Sequence, residues 1–345
     1  MKIARLLRSR TALVLALLLD LLRYAGPPGP YDYTTASFDR AVQVQELVTD
    51  DWLALDGVVG TAIGVDGAGH AVLRVYLEAP GVATFPRFLG GVGVVPEVTG
   101  PFSALPAVPE AAETGAADPK TPFPRPVPIG VSTGHPNVTA GTIGARATDG
   151  ARVFALSNNH IVAAVNGGRE GDNLLQPGIA DGGRNPDDAI GTLFDFEPLL
   201  FCRMLSCPAN RIDAAIALTT PEDLGNETPE GGYGAPRPWT REAELGLTVQ
   251  KYGRTTGLTV GRITGVNATI DVSYRTGTAR FEDQIVVSGD RFSAGGDSGS
   301  LVVTKGVLLG DRRPVGLLFA GSSNTTLANP IDVVLDRFGI AIDGS

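Results

Sequence analysis

The stretch Gly295-Gly-Asp-Ser298-Gly-Ser300 places a serine between glycines in the last third of this 345-residue chain. Glycines let the backbone turn tightly and approach a ligand closely. A serine hydroxyl is a weak nucleophile unless a neighbouring base takes its proton, and a neutral imidazole suits that task. The stretch alone is as typical of an ordinary turn, because Gly, Asp and Ser all favour turns. Its meaning therefore depends on whether the chain also supplies a base and a carboxylate.

Two upstream segments, Leu156-Ser-Asn-Asn-His160 and Asp213-Ala-Ala-Ile-Ala217, supply these groups. His160 is the candidate base, and Asp213 leads into an apolar run typical of a buried strand. A carboxylate at the edge of the core can hold the imidazole tautomer and offset its charge once it is protonated. Taken singly, His160 has the simpler interpretation of a core histidine. Asp213 has that of a residue that caps a strand or pairs with Arg211. Three other aspartates are weaker candidates because none opens an apolar strand: Asp187, Asp188 and Asp195.

The chain order of these groups, histidine then aspartate then serine, resembles the chymotrypsin-like (trypsin-like) serine peptidases over residues 128–345. Ser-Asn-Asn-His replaces the family's commoner Thr-Ala-Ala-His, and Gly-Ser follows the serine where Gly-Gly is usual. In these departures the chain is similar to a bacterial branch related to the plant Narrow leaf 1 protein. The resemblance implies a serine endopeptidase in which Ser298 attacks the peptide carbonyl, His160 transfers the proton and Asp213 orients the imidazole.

The same resemblance implies an oxyanion hole and a substrate pocket. The N–H groups of Gly296 and Ser298 are expected to face the developing oxyanion. Phe292, six residues before Ser298, stands where the family's pocket has its floor. We therefore expect a small apolar pocket, some preference for apolar side chains and poor cleavage after Arg or Lys. The pocket wall is expected on the strand that pairs with the substrate backbone, at Phe319, Ala320 and Gly321.

Composition favours a mainly β protein. The chain has 45 glycines, 25 prolines and many short Val, Ile and Leu runs separated by turn residues, which does not suit long helices. Its length is sufficient for two domains. The resemblance implies a two-barrel chymotrypsin-like domain over residues 129–345. Strands are predicted at residues 247–252, 258–266, 269–274 and 284–288, and together they form an antiparallel meander.

A small α+β domain is predicted over residues 26–102, ahead of the barrels. Its two first strands flank Asp66-Gly-Ala-Gly69, a hairpin signal, and a third follows at residues 92–99. Residues 103–128 are rich in Pro, Ala, Glu and Thr and are interpreted as an extended linker. From its position before the serine motif, the small domain is hypothesised to be a pro-segment. Residues 37–55 have the spacing of a helix whose apolar face comprises Phe38, Val42, Leu47, Val48, Trp52 and Leu55.

Residues 1–25 have the layout of a secretory leader. Four basic residues among the first ten precede the apolar run Thr11–Leu19. Asp20 interrupts the apolar part, and an amphipathic leader helix or a misplaced start codon is the alternative. The run is too short for a membrane span, so no stable span is expected after leader removal. We therefore expect a secreted or periplasmic protein.

The chain has two cysteines, Cys202 and Cys207, and neither has a histidine nearby. A zinc site would lack ligands, so a small disulfide loop is favoured if the chain is exported, and a reactive thiol is the alternative. The acidic segment 178–188 does not have EF-hand spacing, which favours a surface loop over a calcium site. No metal and no cofactor are predicted.

The net charge of −9 argues against a nucleic-acid partner, which requires a basic surface. A peptide or protein substrate is the expected partner. The alternative function is a noncatalytic peptide-binding or regulatory protein, in which the strand near Phe319 adds an extended segment as a further strand. An esterase shares the chemistry of the endopeptidase and also stays open.

Overall fold

The computed structural model describes residues 35–104, 118–204, 206–306 and 312–344. The predicted leader, residues 1–25, lies outside these ranges, and so do residues 105–117 of the predicted linker. The described chain is mainly β, which confirms the predicted fold class. No helix within it is long and apolar enough to cross a membrane.

The amino-terminal part combines one long helix with a sheet. Helix α1 spans Thr35–Leu53. Strands β1 and β2 form the hairpin predicted around residues 66–69, and β4 pairs with β2 in parallel. Strands β1 to β5 are Val58–Val65, Ala71–Leu77, Phe88–Leu89, Val92–Val98 and Phe102–Ala104.

Helix α1 packs on this sheet through a face that differs in part from the predicted one. Ala41 and Val44 are buried against the sheet. Leu47, predicted on the buried face, is 42% exposed because it lies off the stripe that runs through Ala41 and Val44. Leu55 is 44% exposed because the helix ends before it.

The first barrel is formed by short strands from the middle of the chain. Its sheet has the order β10-β11-β13-β9-β8-β20, and β6 pairs with β7 beside it. Strands β6 to β9 are Ser132–Thr133, Gly141–Thr142, Ala145–Thr148 and Val153–Ser157, and helix α2 is Asn159–Val162. Strands β10, β11 and β13 are Asn173–Leu175, Ala189–Phe196 and Ala215–Thr219. Strand β12, Ala209–Asn210, lies between β11 and β13 in the chain but pairs in parallel with residues 280 and 281 of the second barrel. Strand β20, Ala341–Ile342, returns from the carboxyl-terminal end of the chain.

The second barrel is a closed antiparallel sheet. Its pairings run β14-β15-β16-β19-β18-β17 and return to β14, so the sheet has no open edge along this circuit. Strands β14 to β19 are Thr248–Gly253, Gly257–Tyr274, Gly277–Ser288, Leu301–Thr304, Pro314–Gly321 and Thr325–Pro330. Helix α3, Ile331–Phe338, follows the last of them.

Strand β15 is longer than the sequence predicts. Residues 258–266 and 269–274, predicted as two strands, form one strand with register shifts, and Asn267 within it has a φ of 51°. The β15–β16 hairpin continues past the residues that pair with β14 and β19. This extension pairs with β1, where Gly60 lies opposite Ile270, so the amino-terminal sheet continues into the barrel sheet. The domain boundaries given above stay a prediction.

A buried ion pair joins the two barrels. Arg254, in the turn between β14 and β15, donates from Nη2 to Asp181 Oδ1 at 2.5 Å and from Nε to Oδ2 at 2.8 Å. The two side chains are 2% and 5% exposed. Ser132 also donates to Asp181 Oδ2, at 2.5 Å. Because a buried charge is costly without its partner, this contact constrains how the barrels dock.

The Asp181→Asn variant is expected to lose about 3–5 kcal/mol of stability, because it leaves the Arg254 guanidinium buried without a carboxylate. Urea unfolding followed by fluorescence measures the loss. The matched control is Asp283→Asn, whose carboxylate pairs with Arg211 and whose two side chains are 45% and 58% exposed. The control is expected to lose less than about 1 kcal/mol. Equal losses in the two variants would contradict this account of the interface.

Candidate active site

Asp213 and His160 form a buried pair at the ends of two neighbouring strands. Strands β9 and β13 pair with Ser157 opposite Ala215, so the residues beyond these ends lie side by side. Asp213 Oδ2 lies 2.6 Å from His160 Nδ1, and Oδ1 accepts the backbone N–H of His160 at 3.2 Å. The carboxylate fixes the ring proton on Nδ1, which leaves Nε2 as the acceptor.

Further side chains from other elements hold Asp213 in place. Its backbone N–H donates to Asn329 Oδ1 at 3.0 Å, and its carbonyl accepts from Asn158 Nδ2 at 2.7 Å. The Tyr274 hydroxyl donates to Asp213 Oδ2 at 2.8 Å. Sequence reasoning missed Asn329 and Tyr274, because neither belongs to a motif and both lie far from Asp213 along the chain.

The second ring nitrogen of His160 is buried and has no hydrogen-bond partner within the described ranges. His160 itself is 7% exposed. Buried polar atoms are hydrogen-bonded in most proteins, and exceptions concentrate where a group has a catalytic or ligand-binding task. The imidazole is therefore oriented by Asp213 on one side and open to a proton donor on the other.

The loop that carries Ser298 depends on two glycines with left-handed backbone angles. Gly296 has a φ of 97° and Gly299 one of 96°. A Cβ atom on Gly296 would lie 2.6 Å from Thr255 Oγ1, and one on Gly299 would lie 2.2 Å from Ser157 Oγ. Side chains at these positions would therefore distort the loop.

This loop docks on the first barrel beside the strand that leads to His160. The Thr142 N–H donates to the Ser298 carbonyl at 2.8 Å, and the Thr142 hydroxyl donates to the Gly296 carbonyl at 2.8 Å. The Thr142 carbonyl in turn accepts from the Ser157 hydroxyl at 2.7 Å, and Ser157 ends strand β9. Ser298 is fully buried, and its hydroxyl donates to the Phe319 carbonyl at 3.3 Å.

Asp297 anchors the loop from inside the second barrel. Its carboxylate accepts from the N–H groups of Thr255 at 2.8 Å and Ala294 at 2.9 Å. Lys251 Nζ lies 3.4 Å from Asp297 Oδ2, and both side chains are fully buried. Burial lowers the pKa of Lys251, whereas the Asp297 charge opposes that shift. Asp297 thus has an internal cation as its partner. The sequence carries no clear signal for this pair, because Lys251 lies between Gln250 and Tyr252 in a strand without an apolar run.

The predicted pocket residues divide between two places. Phe292 is 2% exposed and lies in the apolar core of the second barrel, and its part in substrate binding stays a prediction. The pocket-wall residues lie on strand β18, where Ala320 pairs with Ala104 and Gly321 with Ser103. Strand β5 of the same chain therefore covers part of the backbone that was expected to bind substrate, at Ala320 and Gly321.

Strand β5 is held by pairing and by an aromatic anchor. Phe102 is 1% exposed and packs with Phe281 and Phe319, and its ring lies 5.8 Å from that of Tyr76. The strand also pairs in parallel with β15, where Phe102 lies opposite Val272. Sequence reasoning assigned residues 103 and 104 to the linker, because three residues are too few to display strand periodicity.

The remaining predicted sites are simpler. Cys202 and Cys207 are joined in a disulfide. Two aspartates of the acidic segment 178–188 form ion pairs, Asp181 with Arg254 and Asp188 with Arg184. Among the described residues no cluster of His, Cys, Asp and Glu has the arrangement of a metal site.

Comparisons with known proteins found one family model and several solved structures that are similar to this chain. Residues 241–329 match the family model of the Nal1 C-terminal domain. A search of curated proteins gave no match. The chain is similar to the solved structure of Thermobifida fusca protease A, with 20% identity, 64% of this chain and 100% of that chain covered, and a TM-score of 0.44.

Two further solved structures are similar to a comparable extent. Cellulomonas bogoriensis chymotrypsin is 21% identical, with 64% of this chain and 99% of that chain covered and a TM-score of 0.41. Nocardiopsis protease is 21% identical, with 63% and 99% covered and a TM-score of 0.44. Over residues 241–329, the family model confirms the predicted resemblance to the branch related to the Narrow leaf 1 protein.

Proposed function

We propose that this protein is a serine endopeptidase with Ser298 as nucleophile, His160 as general base and Asp213 as the carboxylate that orients the base. The observation that carries the proposal is the state of the His160 ring. Nδ1 is bound to Asp213, and the buried Nε2 atom has no partner in the part of the chain that the structure describes. An imidazole in this state is ready to accept a proton from a hydroxyl.

Catalysis begins when the Ser298 hydroxyl breaks its hydrogen bond to the Phe319 carbonyl. The hydroxyl has one proton, and it must be directed at His160 Nε2 before it can be transferred there. As Oγ attacks the substrate carbonyl carbon, its proton passes to His160 Nε2, and Asp213 stabilises the imidazolium. The tetrahedral intermediate collapses when His160 returns the proton to the leaving amine, which leaves an acyl group on Ser298. Water then attacks the acyl carbon while His160 takes a proton from it. The return of that proton to Ser298 Oγ releases the acid and restores the serine.

The developing oxyanion is bound by the N–H groups of Gly296 and Ser298. Gly296 adopts its left-handed conformation where a side chain would collide with Thr255. The bonds from Asp297 to Thr255, Ala294 and Lys251 hold the loop before substrate arrives. Preorganised donors of this kind stabilise the transition state without rearrangement during the reaction.

The substrate is an extended peptide that adds to strand β18. Support comes from strand β5, which already pairs there in the antiparallel direction, with Ala104 opposite Ala320 and Ser103 opposite Gly321. An edge that accepts one extended strand has the geometry to accept another. The apolar side chains of Phe319 and Ala320 at this edge favour apolar substrate side chains. The leader-like residues 1–25 and the disulfide support export as the location of the activity.

The same contact makes the described form a latent one. A peptide substrate competes with β5 for the edge at residues 319–321, and β5 has the advantage of being tethered. The Phe102 ring anchors β5 among apolar side chains. Activity therefore requires β5 to leave, whether by cleavage of the chain or by transient opening. The pro-segment hypothesis was based on the position of the small domain before the serine motif. The pairing of β5 with β18 adds a specific contact through which this part of the chain would inhibit the site.

A fluorophosphonate probe is expected to label the protein at Ser298, because the probe requires an activated serine and no particular peptide. The Ser298→Ala and His160→Ala variants should not be labelled. Ser293→Ala, which alters a neighbouring serine bound to Thr326, should be labelled like the wild type. In-gel fluorescence measures the result. A noncatalytic peptide-binding protein would give no labelling in any form, and that outcome with folded protein would contradict the proposal.

The Lys251→Met variant is expected to lower kcat about a hundredfold, because Asp297 loses its buried cation and the oxyanion donors lose their position. Peptide anilide hydrolysis measures the effect, with circular dichroism as the check on folding. Lys305→Met is the control, since Lys305 is exposed. A folded Lys251→Met protein with unchanged kcat would argue against a role for Asp297 in holding the loop.

The Phe102→Ala variant is expected to react with the fluorophosphonate probe at least tenfold faster than the wild type. Loss of a buried phenyl ring costs about 3–5 kcal/mol of stability. Part of this loss destabilises only the state in which β5 is paired with β18, so β5 should dissociate from β18 more often. Phe88→Ala is the control, because Phe88 is 61% exposed. If labelling rates stay equal while Phe102→Ala unfolds more easily, β5 is a structural strand that does not compete with ligands.

A further inference from the structure

The carboxylate of Asp213 receives a hydrogen bond that does not come from the histidine. The Tyr274 hydroxyl donates at 2.8 Å to Oδ2, the same oxygen that lies 2.6 Å from His160 Nδ1. The other oxygen, Oδ1, accepts the backbone N–H of His160. Within the described ranges no lysine or arginine pairs with Asp213, so hydrogen bonds and the imidazole alone balance its buried charge.

The Tyr274 ring is fixed by aromatic neighbours on several sides. Its centroid lies 5.7 Å from that of Phe201 and 6.2 Å from that of Phe281. The third neighbour is the His160 ring, at 5.9 Å and an interplanar angle of 75°. The contacts with Phe201 and His160 are edge-to-face, an arrangement that is favourable and defines the orientation of a ring. The hydroxyl is therefore aimed at Asp213 by the packing of the ring.

Tyr274 stands at the end of strand β15, in the hairpin extension that the amino-terminal part supports. Gln45 of helix α1 and Asn267 of β15 exchange side-chain hydrogen bonds, with Gln45 Nε2 donating to the Asn267 carbonyl at 2.8 Å and Asn267 Nδ2 donating to Gln45 Oε1 at 2.9 Å. Strand β1 pairs with β15 at Ile270. The amino-terminal part thus supports the segment that brings the phenol to the site.

We propose that Tyr274 is a positioning residue for the Asp213–His160 pair, an inference that rests on the proposed peptidase function. The phenol fixes the rotation of the carboxylate and stabilises its charged form, so that Oδ2 stays directed at Nδ1. Without this donor Oδ2 becomes a stronger acceptor, but the carboxylate turns more freely and the orientation of the imidazole is less well defined. Burial, together with the charge of Asp213, raises the pKa of Tyr274 well above its ordinary value, so the hydroxyl keeps its proton.

The test compares Tyr274→Phe with Tyr76→Phe. Tyr76 is a fully buried tyrosine of the apolar cluster on which the partly buried Tyr274 packs, and its hydroxyl has no partner in the described part of the chain. Tyr274→Phe is expected to lower kcat for a peptide anilide about tenfold to a hundredfold with KM within twofold, the loss typical of one hydrogen bond to a charged group. Tyr76→Phe is expected to leave both constants unchanged.

A second readout does not depend on activity. In protein with ¹⁵N-labelled histidine and the Ser298→Ala change, the His160 Nδ1 proton is followed by NMR. Loss of the phenol leaves Oδ2 a stronger acceptor, so Tyr274→Phe should move this resonance downfield. Replacing Tyr274 with 3-fluorotyrosine, a better donor that keeps the ring, should move it upfield. Tyr76→Phe should leave it in place.

The outcomes separate this inference from the proposed function. An unchanged resonance in folded Tyr274→Phe, or an unchanged kcat, overturns the positioning role. If wild-type and Phe102→Ala protein both fail to react with the fluorophosphonate probe, the peptidase proposal fails, and the resonance still decides whether Tyr274 controls the carboxylate. If Tyr274→Phe does not fold, the protein with 3-fluorotyrosine at position 274 decides: an upfield shift of the His160 Nδ1 proton supports the positioning role, and an unchanged resonance overturns it.

Discussion

The contact between the Asp213 carboxylate and the His160 imidazole is the constraint on which the rest of the structure depends. Removing a carboxylate from water costs several kcal/mol unless donors replace the water. The donors here come from both barrels: His160 from the first, and Tyr274 from the β15–β16 hairpin of the second. The full set of donors around the Asp213 carboxylate assembles only when the barrels meet, so the geometry of the site is coupled to the docking of the barrels.

Two buried ion pairs, one between the barrels and one inside the second barrel, follow the same rule. Arg254 and Asp181 connect the barrels, whereas Lys251 and Asp297 lie within the second barrel and hold the serine loop. Buried ion pairs add little net stability compared with apolar side chains, but separating one is expensive. Their main effect is therefore on the geometry of the structure and not on its stability. They fix where the loop of Ser298 stands relative to the first barrel.

The amino-terminal part acts on the site in two opposite ways. Through β1 and helix α1 it supports the hairpin that carries Tyr274, and through β5 it covers the edge of strand β18. The two contacts use different residues and are separable in principle. A form without β5 at the edge but with β1 still paired would keep the phenol in place while exposing the substrate edge. This is a physical reason to regard the pro-segment hypothesis as concerning β5 rather than the whole amino-terminal part.

The sequence by itself determined the mainly β class, the hairpin around residues 66–69, and the three segments that supply His160, Asp213 and Ser298. These features are local, because strand periodicity and turn chemistry are written in neighbouring residues. Tertiary structure alone decided the contacts that make the site: Tyr274 lies 61 residues from Asp213 along the chain, and Asn329 lies 116 residues from it. It also decided that β5 pairs with β18, and that Leu47 faces solvent. Such contacts depend on barrel closure and docking, which join residues whose own neighbours in the sequence carry no sign of the partner.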